Sequence, residues 1–158
     1  MSMNRSAAWA LVATVGPIGR LPAAGTWGSG IGLLIGLAGI DVWRTPPLLL
    51  LLLVTFPLCA LICTGAERHL DQRDPPSVIL DEVWAMAMVL IVQARVIGGS
   101  GRMVFLAFLL FRLFDILEPI PLKRLALLPR GWGIMAYDHG AAAYTCAILW
   151  DIHQFRNC

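Results

Sequence analysis

Apolar segments separated by short polar hinges follow one another along the chain, and they predict a series of α-helices. Glycine, proline and charged residues mark the hinges, notably at residues 44–47, in the charged stretch 67–76, in the Gly98-Gly99-Ser100-Gly101 turn and in the basic loop that leads to Gly131-Trp132-Gly133. Ser77 follows the charged stretch and is expected to cap the next helix. We therefore predict helices over residues 7–15, 26–40, 48–64, 78–96, 103–117 and 134–152.

The segment over residues 26–40 is rich in glycine, with Gly28, Gly32, Gly36 and Gly39 at nearly helical spacing. Small residues at this spacing allow two helices to approach closely in a membrane. We predict a packing face on this segment. The sequence leaves open whether the segment crosses the bilayer or re-enters on the same side.

The composition indicates that lipid is part of the solvent of this protein. Hydrophobic residues make up 58% and charged residues 14% of the 158 residues, whereas soluble domains have about 45–50% and about 25%. These values exclude a disordered chain, a coiled coil and an ordinary soluble enzyme. Residues 48–64 carry no charge and with their flanks reach the ~20 residues that cross a bilayer. We predict a single domain over residues 1–158, an all-α, compact multi-helix bundle embedded in the membrane.

The distribution of basic residues predicts the orientation of this bundle. The hinges within residues 1–26, 66–77 and 118–133 carry seven arginine and lysine residues, and the hinges of the opposite side carry four. Basic residues favour the cytoplasmic side, so we expect a multi-pass protein of the inner membrane with these three hinges in the cytoplasm. The net charge of +2, with no basic run, argues against nucleic-acid binding.

Ionisable residues inside the apolar helices are the strongest indication of chemistry. Each costs about 2.5–3.5 kcal/mol at the centre of a membrane helix, so each needs a partner or a wet cavity. All are expected near the cytoplasmic ends of their helices, where carboxylates from three helices would repel one another. A hard divalent cation such as Mg²⁺, which takes oxygen ligands and phosphate, would relieve this repulsion. The residues are Asp81, Glu82, Arg112, Asp115 and Asp138.

Each of these residues also has a purely structural explanation. Acidic residues in a first helical turn, such as those at 81 and 82, are favoured by the helix dipole. Arg112 and Asp115 are three residues apart and form an intrahelical ion pair in this interpretation, while residue 138 caps its helix or pairs with Arg130. Thr26 and Ser29 either cap the glycine-rich helix or help it to bind an anion through free N–H groups.

Four motifs occur in order between residues 14 and 145, and together they are specific. They are Ala24-Gly25-Thr26-Trp27-Gly28-Ser29, the segment from Asp74-Pro75 to Asp81-Glu82-Val83-Trp84-Ala85, the segment from Phe111-Arg112 to Pro121-Leu122, and Arg130-Gly131-Trp132-Gly133-Ile134-Met135-Ala136-Tyr137-Asp138. In these motifs the chain resembles the phosphatidylglycerophosphatase A family.

The resemblance implies a membrane phosphatase of phospholipid biosynthesis. Such an enzyme is a phosphoric monoester hydrolase that uses Mg²⁺ to convert the phospholipid substrate phosphatidylglycerophosphate into phosphatidylglycerol. Carried over to this chain, the motifs suggest catalytic and metal-binding roles for Asp81, Glu82, Asp115 and Asp138. The candidates for binding the substrate phosphate are Arg112, Arg130, Thr26 and Ser29, and Arg112 alternatively orients the carboxylates.

The chain departs from the family pattern at positions that bear on activity. Glu118 stands where the family has lysine, Tyr137 where it has the first aspartate of a pair, and Ala85 and Arg130 where it has glycine. Arg130 is expected to compensate partly for the lost positive charge. The alternative hypothesis is therefore a weakened or inactive homologue that binds anionic lipid. A small transporter is disfavoured because the charges cluster at one depth, and the sequence leaves the oligomeric state and the general base open.

Overall fold

The computed structural model describes residues 5–39 and 47–157, and within these ranges the chain is all-α with no strand. The predicted hinge at residues 44–47 lies outside the described residues apart from Pro47, which begins a helix. A short 3₁₀ turn covers Ile18–Arg20. The helices are α1 (Arg5–Ala13), α2 (Ala24–Gly39), α3 (Pro47–Leu70), α4 (Leu80–Val92), α5 (Ala94–Ile97), α6 (Gly101–Leu117), α7 (Leu122–Leu125) and α8 (Gly131–Asn157).

The predicted helices are confirmed, but several of their ends are wrong. Helix α3 continues into the charged stretch, because Ala66 and Glu67 remain on its buried face at 0% and 4% exposure. The helix predicted over residues 78–96 divides at Gln93, whose side chain donates to the carbonyl of Cys146 in α8 at 2.6 Å. Helix α3 is therefore longer than predicted, and the single helix predicted over residues 78–96 is two helices, α4 and α5.

The start of α4 is set by the chain before it and not by the predicted serine cap. Ile79 occupies the N-cap position without a side-chain hydrogen bond. Its N–H donates to the carbonyl of Ala13 at 2.9 Å and so ties the start of α4 to the end of α1. The prediction that Ser77 caps this helix is therefore wrong.

Helix α8 begins three residues earlier than predicted, at Gly131. A Cβ at this position would lie 2.4 Å from the carbonyl oxygen of Ala60 and 2.5 Å from the nitrogen of Thr64. Because residue 131 has no side chain, the first turn of α8 can lie directly against the backbone of α3. Residues 131–133, which we expected to precede the helix, are its first turn and contact α3.

Helix α4 is the centre of the bundle and contacts α1, α2, α3, α6 and α8. Its residues from Ala85 to Leu90 are buried almost completely. One apolar cluster joins α4, α6 and α8 through residues such as Met86, Phe111 and Leu149. A second cluster joins α1 and α3 to the start of α8. The ionisable residues near the ends of α4 and α8 are therefore held by a packed core.

The glycine-rich face of α2 packs directly on α4, which confirms the predicted packing face. An added Cβ at Gly32 would lie 2.2 Å from the carbonyl oxygen of Val83, and one at Gly36 would lie 2.8 Å from the Cβ of Leu90. At Gly28 the corresponding distance to the Cβ of Ile79 is 3.0 Å. Three glycines spaced by four residues thus allow the two helix backbones to touch.

Many large apolar side chains remain on the surface of the bundle, among them Leu34, Phe105, Ile116 and Phe155, which are 63–83% exposed. Within the described residues, however, no helix combines the length and the continuous apolar character that a bilayer span requires. The multi-pass arrangement that the composition indicates therefore stays a prediction.

Gly32 and Gly30 provide a matched test of the contact between α2 and α4. We expect Gly32→Ala to lower the free energy of unfolding by about 1–3 kcal/mol, because the new methyl group overlaps the backbone of α4. Gly30 has open space around its Cβ direction, and Gly30→Ala should stabilise the protein by up to about 1 kcal/mol. Thermal unfolding of the detergent-solubilised variants measures both effects. Equal unfolding temperatures for the two variants would contradict the close packing.

Candidate active site

Four helix ends meet at one end of the bundle, which we call the site end. They are the starts of α2, α4 and α8 and the end of α6, joined there by the connection between α3 and α4. A cavity of about 160 Å³, the acid cavity, is lined by Asp74, Glu82, Asp115 and Asp138 from these elements. The structure thus brings together carboxylates from three helices, as the sequence predicts.

Asp81, Glu82 and Asp138 form a compact group, the carboxylate triad, in which one oxygen from each residue lies within 4.8 Å of the others. Asp81 is only 4% and Asp138 only 2% exposed. One buried oxygen of each triad residue has no hydrogen-bond partner: Oδ1 of Asp81, Oε2 of Glu82 and Oδ2 of Asp138. Buried polar atoms are normally satisfied, so the triad calls for a cation or for protons.

Burial raises the pKa of all three triad carboxyls well above their ordinary range. For Asp81 the neighbouring charge of Asp138 adds to the effect of burial, and for Glu82 that of Asp81 does. For Asp138 the added charges are those of Glu82 and Asp115. Loss of hydration and repulsion between like charges thus act in the same direction. A positive ion at the triad would oppose both.

Arg112 and Asp115 lie beside the triad on the last turns of α6. The Nη1 of Arg112 forms an ion pair with Oδ2 of Asp115 at 2.5 Å and donates to Oγ of Ser29 at 3.3 Å. The charge of Asp115 also contributes to the raised pKa of Asp138. The intrahelical pair suggested by the sequence is therefore present, and it is part of the site.

The start of α2 lies close to this group because residue 25 is glycine. A Cβ on Gly25 would lie 2.4 Å from Oε1 of Glu82 and 3.1 Å from Nη1 of Arg112. Ser29 is fully buried, and its hydroxyl donates to the carbonyl of Gly25 at 2.8 Å while accepting from Arg112. Gly25, Glu82 and Arg112 also line a second cavity of about 440 Å³, the neighbouring cavity, which shares Asp74 and Glu82 with the acid cavity.

Thr26 is the one predicted site residue that the structure does not bring into the site. It is exposed and lines neither cavity. In α2 the face toward α4 carries residues 25, 28, 29 and 32, and position 26 is turned away from it by about 100°. Ser29 lies in the site, but its partner there is Arg112.

Arg130 lies at the rim of the acid cavity, exposed, just before the first turn of α8. Among the described residues it forms no ion pair with Asp138, so that structural explanation of residue 138 is not supported. Glu118 lines the same cavity and pairs with Lys123 at 3.8 Å on the surface.

Tyr137 lines the acid cavity but uses its hydroxyl elsewhere. The hydroxyl donates to the backbone carbonyl of Phe114 at 3.2 Å and to that of Asp115 in a shorter contact. These bonds fasten α8 to the end of α6. Tyr137 thus positions the segment that carries Asp115, and the triad is assembled without a carboxylate at position 137.

Glu67 and Asp74 are site residues that the sequence analysis did not single out. Both line the acid cavity. Oε1 of the buried Glu67 accepts a hydrogen bond from the backbone N–H of Asp74 at 2.9 Å, which fixes the connection between α3 and α4. A signal existed: Cys59, Cys63 and Glu67 are spaced by four residues, which places the glutamate on the buried face of the apolar helix.

Comparison with known proteins gives a consistent result. The sequence model of the phosphatidylglycerophosphatase A family matches residues 11–153. The chain is 33% identical over 135 residues to a protein of Haemophilus influenzae named phosphatidylglycerophosphatase A, covering 85% of this chain and 81% of that protein. No solved structure matches. The matched region includes every helix end that forms the site. Because the family model and this relative both cover most of the chain, the chain belongs to the phosphatidylglycerophosphatase A family, a family of phosphoric monoester hydrolases.

Proposed function

We propose that this protein removes the terminal phosphate of phosphatidylglycerophosphate and releases phosphatidylglycerol and inorganic phosphate. The observation that carries the proposal is the carboxylate triad, which has one unpartnered buried oxygen on each residue and two members, Glu82 and Asp138, in the lining of the acid cavity. An acidic group of this kind is suited to phosphate chemistry only with a cation. Membership of the family supplies the substrate class.

The donor set of the triad fits Mg²⁺. It consists only of carboxylate oxygens, and Mg²⁺ is usually held by one or two protein carboxylates together with water and substrate phosphate. Asp81, Glu82 and Asp138 would hold the ion. When bound, it supplies positive charge that offsets the charge of the phosphoryl oxygens.

The remaining residues of the site have separate roles in this proposal. Asp115 lines the acid cavity outside the triad, so it is placed to accept a proton from the attacking water. Arg112 holds Asp115 in position, lines the neighbouring cavity, and has a buried Nε without a hydrogen-bond partner. Arg130 adds positive charge at the rim of the cavity.

We infer that the protein works at the membrane, with its exposed apolar side chains in lipid. Leu34, Phe105 and Ile116 are each more than 60% exposed, and burying such side chains contributes about 1.5–3 kcal/mol each. The hinges at the site end carry most of the basic residues, which favours the cytoplasmic headgroup side. The substrate headgroup would then reach the acid cavity from that side.

The alternative, a weakened homologue that only binds anionic lipid, is less well supported. The strongest argument for it is that residue 137 is a tyrosine, where the family has an aspartate. Since the triad is complete without this position and Tyr137 is bonded to the backbone of α6, the substitution removes no ligand from the triad. We therefore favour an active enzyme.

Asp81→Asn tests the role of the triad. The change keeps the size of the side chain but removes a charge, and we expect phosphate release from phosphatidylglycerophosphate to fall by about 100-fold or more. EDTA should abolish the activity of the unmodified protein. Asp151→Asn, an exposed position on α8 away from both cavities, is the matched control and should retain full activity.

Mg²⁺ should also raise the unfolding temperature of the unmodified protein and of the Asp151→Asn variant, because an ion that binds only the folded state stabilises it. The Asp81→Asn variant should show little of this stabilisation. Full phosphate release by that variant, or by the unmodified protein in EDTA, would remove the metal from the proposal.

Two substitutions at Tyr137 distinguish the active enzyme from the weakened homologue. Tyr137→Phe removes the hydrogen bonds to α6 and should lower stability by about 1 kcal/mol, with phosphate release within about twofold of normal. Tyr137→Asp should destabilise the protein further without any gain in turnover, because it adds a fifth carboxylate beside Asp115 and the triad. A gain in turnover of more than tenfold would instead show that the natural chain is catalytically impaired.

A further inference from the structure

A third cavity, the basic cavity, adjoins the acid cavity on its outer side. It has a volume of about 690 Å³, and its lining includes three arginines, Arg68, Arg73 and Arg130. Arg73, Arg130 and Glu67 line both cavities. A ligand that extends beyond the acid cavity on this side therefore passes directly into the basic cavity.

The charges of the basic cavity favour an anion. Its lining contains three guanidinium groups and two carboxylates, those of Glu67 and Asp71. Glu67 is buried, and one of its oxygens already accepts a hydrogen bond from Asp74. Asp71 is exposed, so three guanidinium groups and one exposed carboxylate face a ligand there, with positive charge in excess.

The neighbouring cavity does not offer the same environment. Its charged lining residues are Asp74, Glu82 and Arg112, and Arg112 is already paired with Asp115. A second anionic group would meet two carboxylates and a neutralised arginine. Of the two cavities that adjoin the acid cavity, only the basic one presents positive charge in excess.

The basic cavity is also held in a defined shape. Nη2 of Arg73 donates to the backbone carbonyl of Ala126 at 3.0 Å, which joins the connection before α4 to the segment before α8. Its planar guanidinium carries further N–H donors, which suit a phosphate oxygen. Leu127, which is 73% exposed, provides an apolar wall beside the arginines.

We propose that the basic cavity binds the second phosphate of a two-phosphate lipid, the diester group that remains after hydrolysis. The terminal phosphate lies at the carboxylate triad, and Arg68 and Arg73 bind the diester phosphate. This inference rests on the proposed function for the identity of the ligand. The cavity itself and its charge are independent of it.

Binding of dioctanoyl phosphatidylglycerol tests the proposal without turnover, because this lipid carries only the diester phosphate. The measurement is made in EDTA with detergent-solubilised full-length protein. We expect Arg68→Ala and the double variant Arg68→Ala/Arg73→Ala to raise the Kd, the double variant by about tenfold, and Arg68→Lys to restore part of the affinity. Arg124→Ala, an exposed arginine on α7 that lines none of the three cavities, is the control and should bind normally.

In turnover of phosphatidylglycerophosphate, the same variants should raise KM by about tenfold and leave kcat within about threefold. Normal binding and normal KM in folded Arg68→Ala and double variants would overturn the basic cavity as a phosphate site. If the unmodified protein releases no phosphate but binds dioctanoyl phosphatidylglycerol through these arginines, the proposed function fails and the site stands. If it releases phosphate and the arginines do not matter, the site fails and the function stands.

Discussion

Mutual repulsion of three closely spaced carboxylates is the constraint on which the rest of this structure depends. Asp81, Glu82 and Asp138 place oxygens within 4.8 Å of one another, and Asp81 and Asp138 are buried while Glu82 is partly exposed. Burying an unpaired charge costs far more than a single hydrogen bond returns, so such a group persists only with a compensating cation or with protons. Arg112 cannot supply that compensation, because it is committed to Asp115.

The fold holds this unfavourable group in place with contacts that involve no charge. Glycines on α2 allow its backbone to touch α4, Gly131 allows α8 to begin against α3, and Tyr137 ties α8 to the end of α6. Each contact positions one of the helix ends that carry the carboxylates. Residues that take no part in the chemistry therefore determine whether the site can exist.

The sequence predicts which carboxylates come together, because acidic residues are rare in apolar helices and need a common explanation. It does not predict features that depend on which backbone atoms meet. Thr26 belongs to the same motif as Gly25 but lies on the other face of α2, and Glu67 is concealed in a charged stretch although it continues a buried helix face. Likewise, the motif places Tyr137 at a carboxylate position, but only the structure shows that its hydroxyl binds the end of α6.

The most direct test of the account is an experimental structure of the protein prepared with Mn²⁺, which prefers the same oxygen ligands as Mg²⁺ and is located by its anomalous scattering. The account predicts a single strong peak bonded to the carboxylates of Asp81, Glu82 and Asp138. A Mn²⁺ ion bound elsewhere, or a triad that stays without metal in protein that releases phosphate, would contradict it.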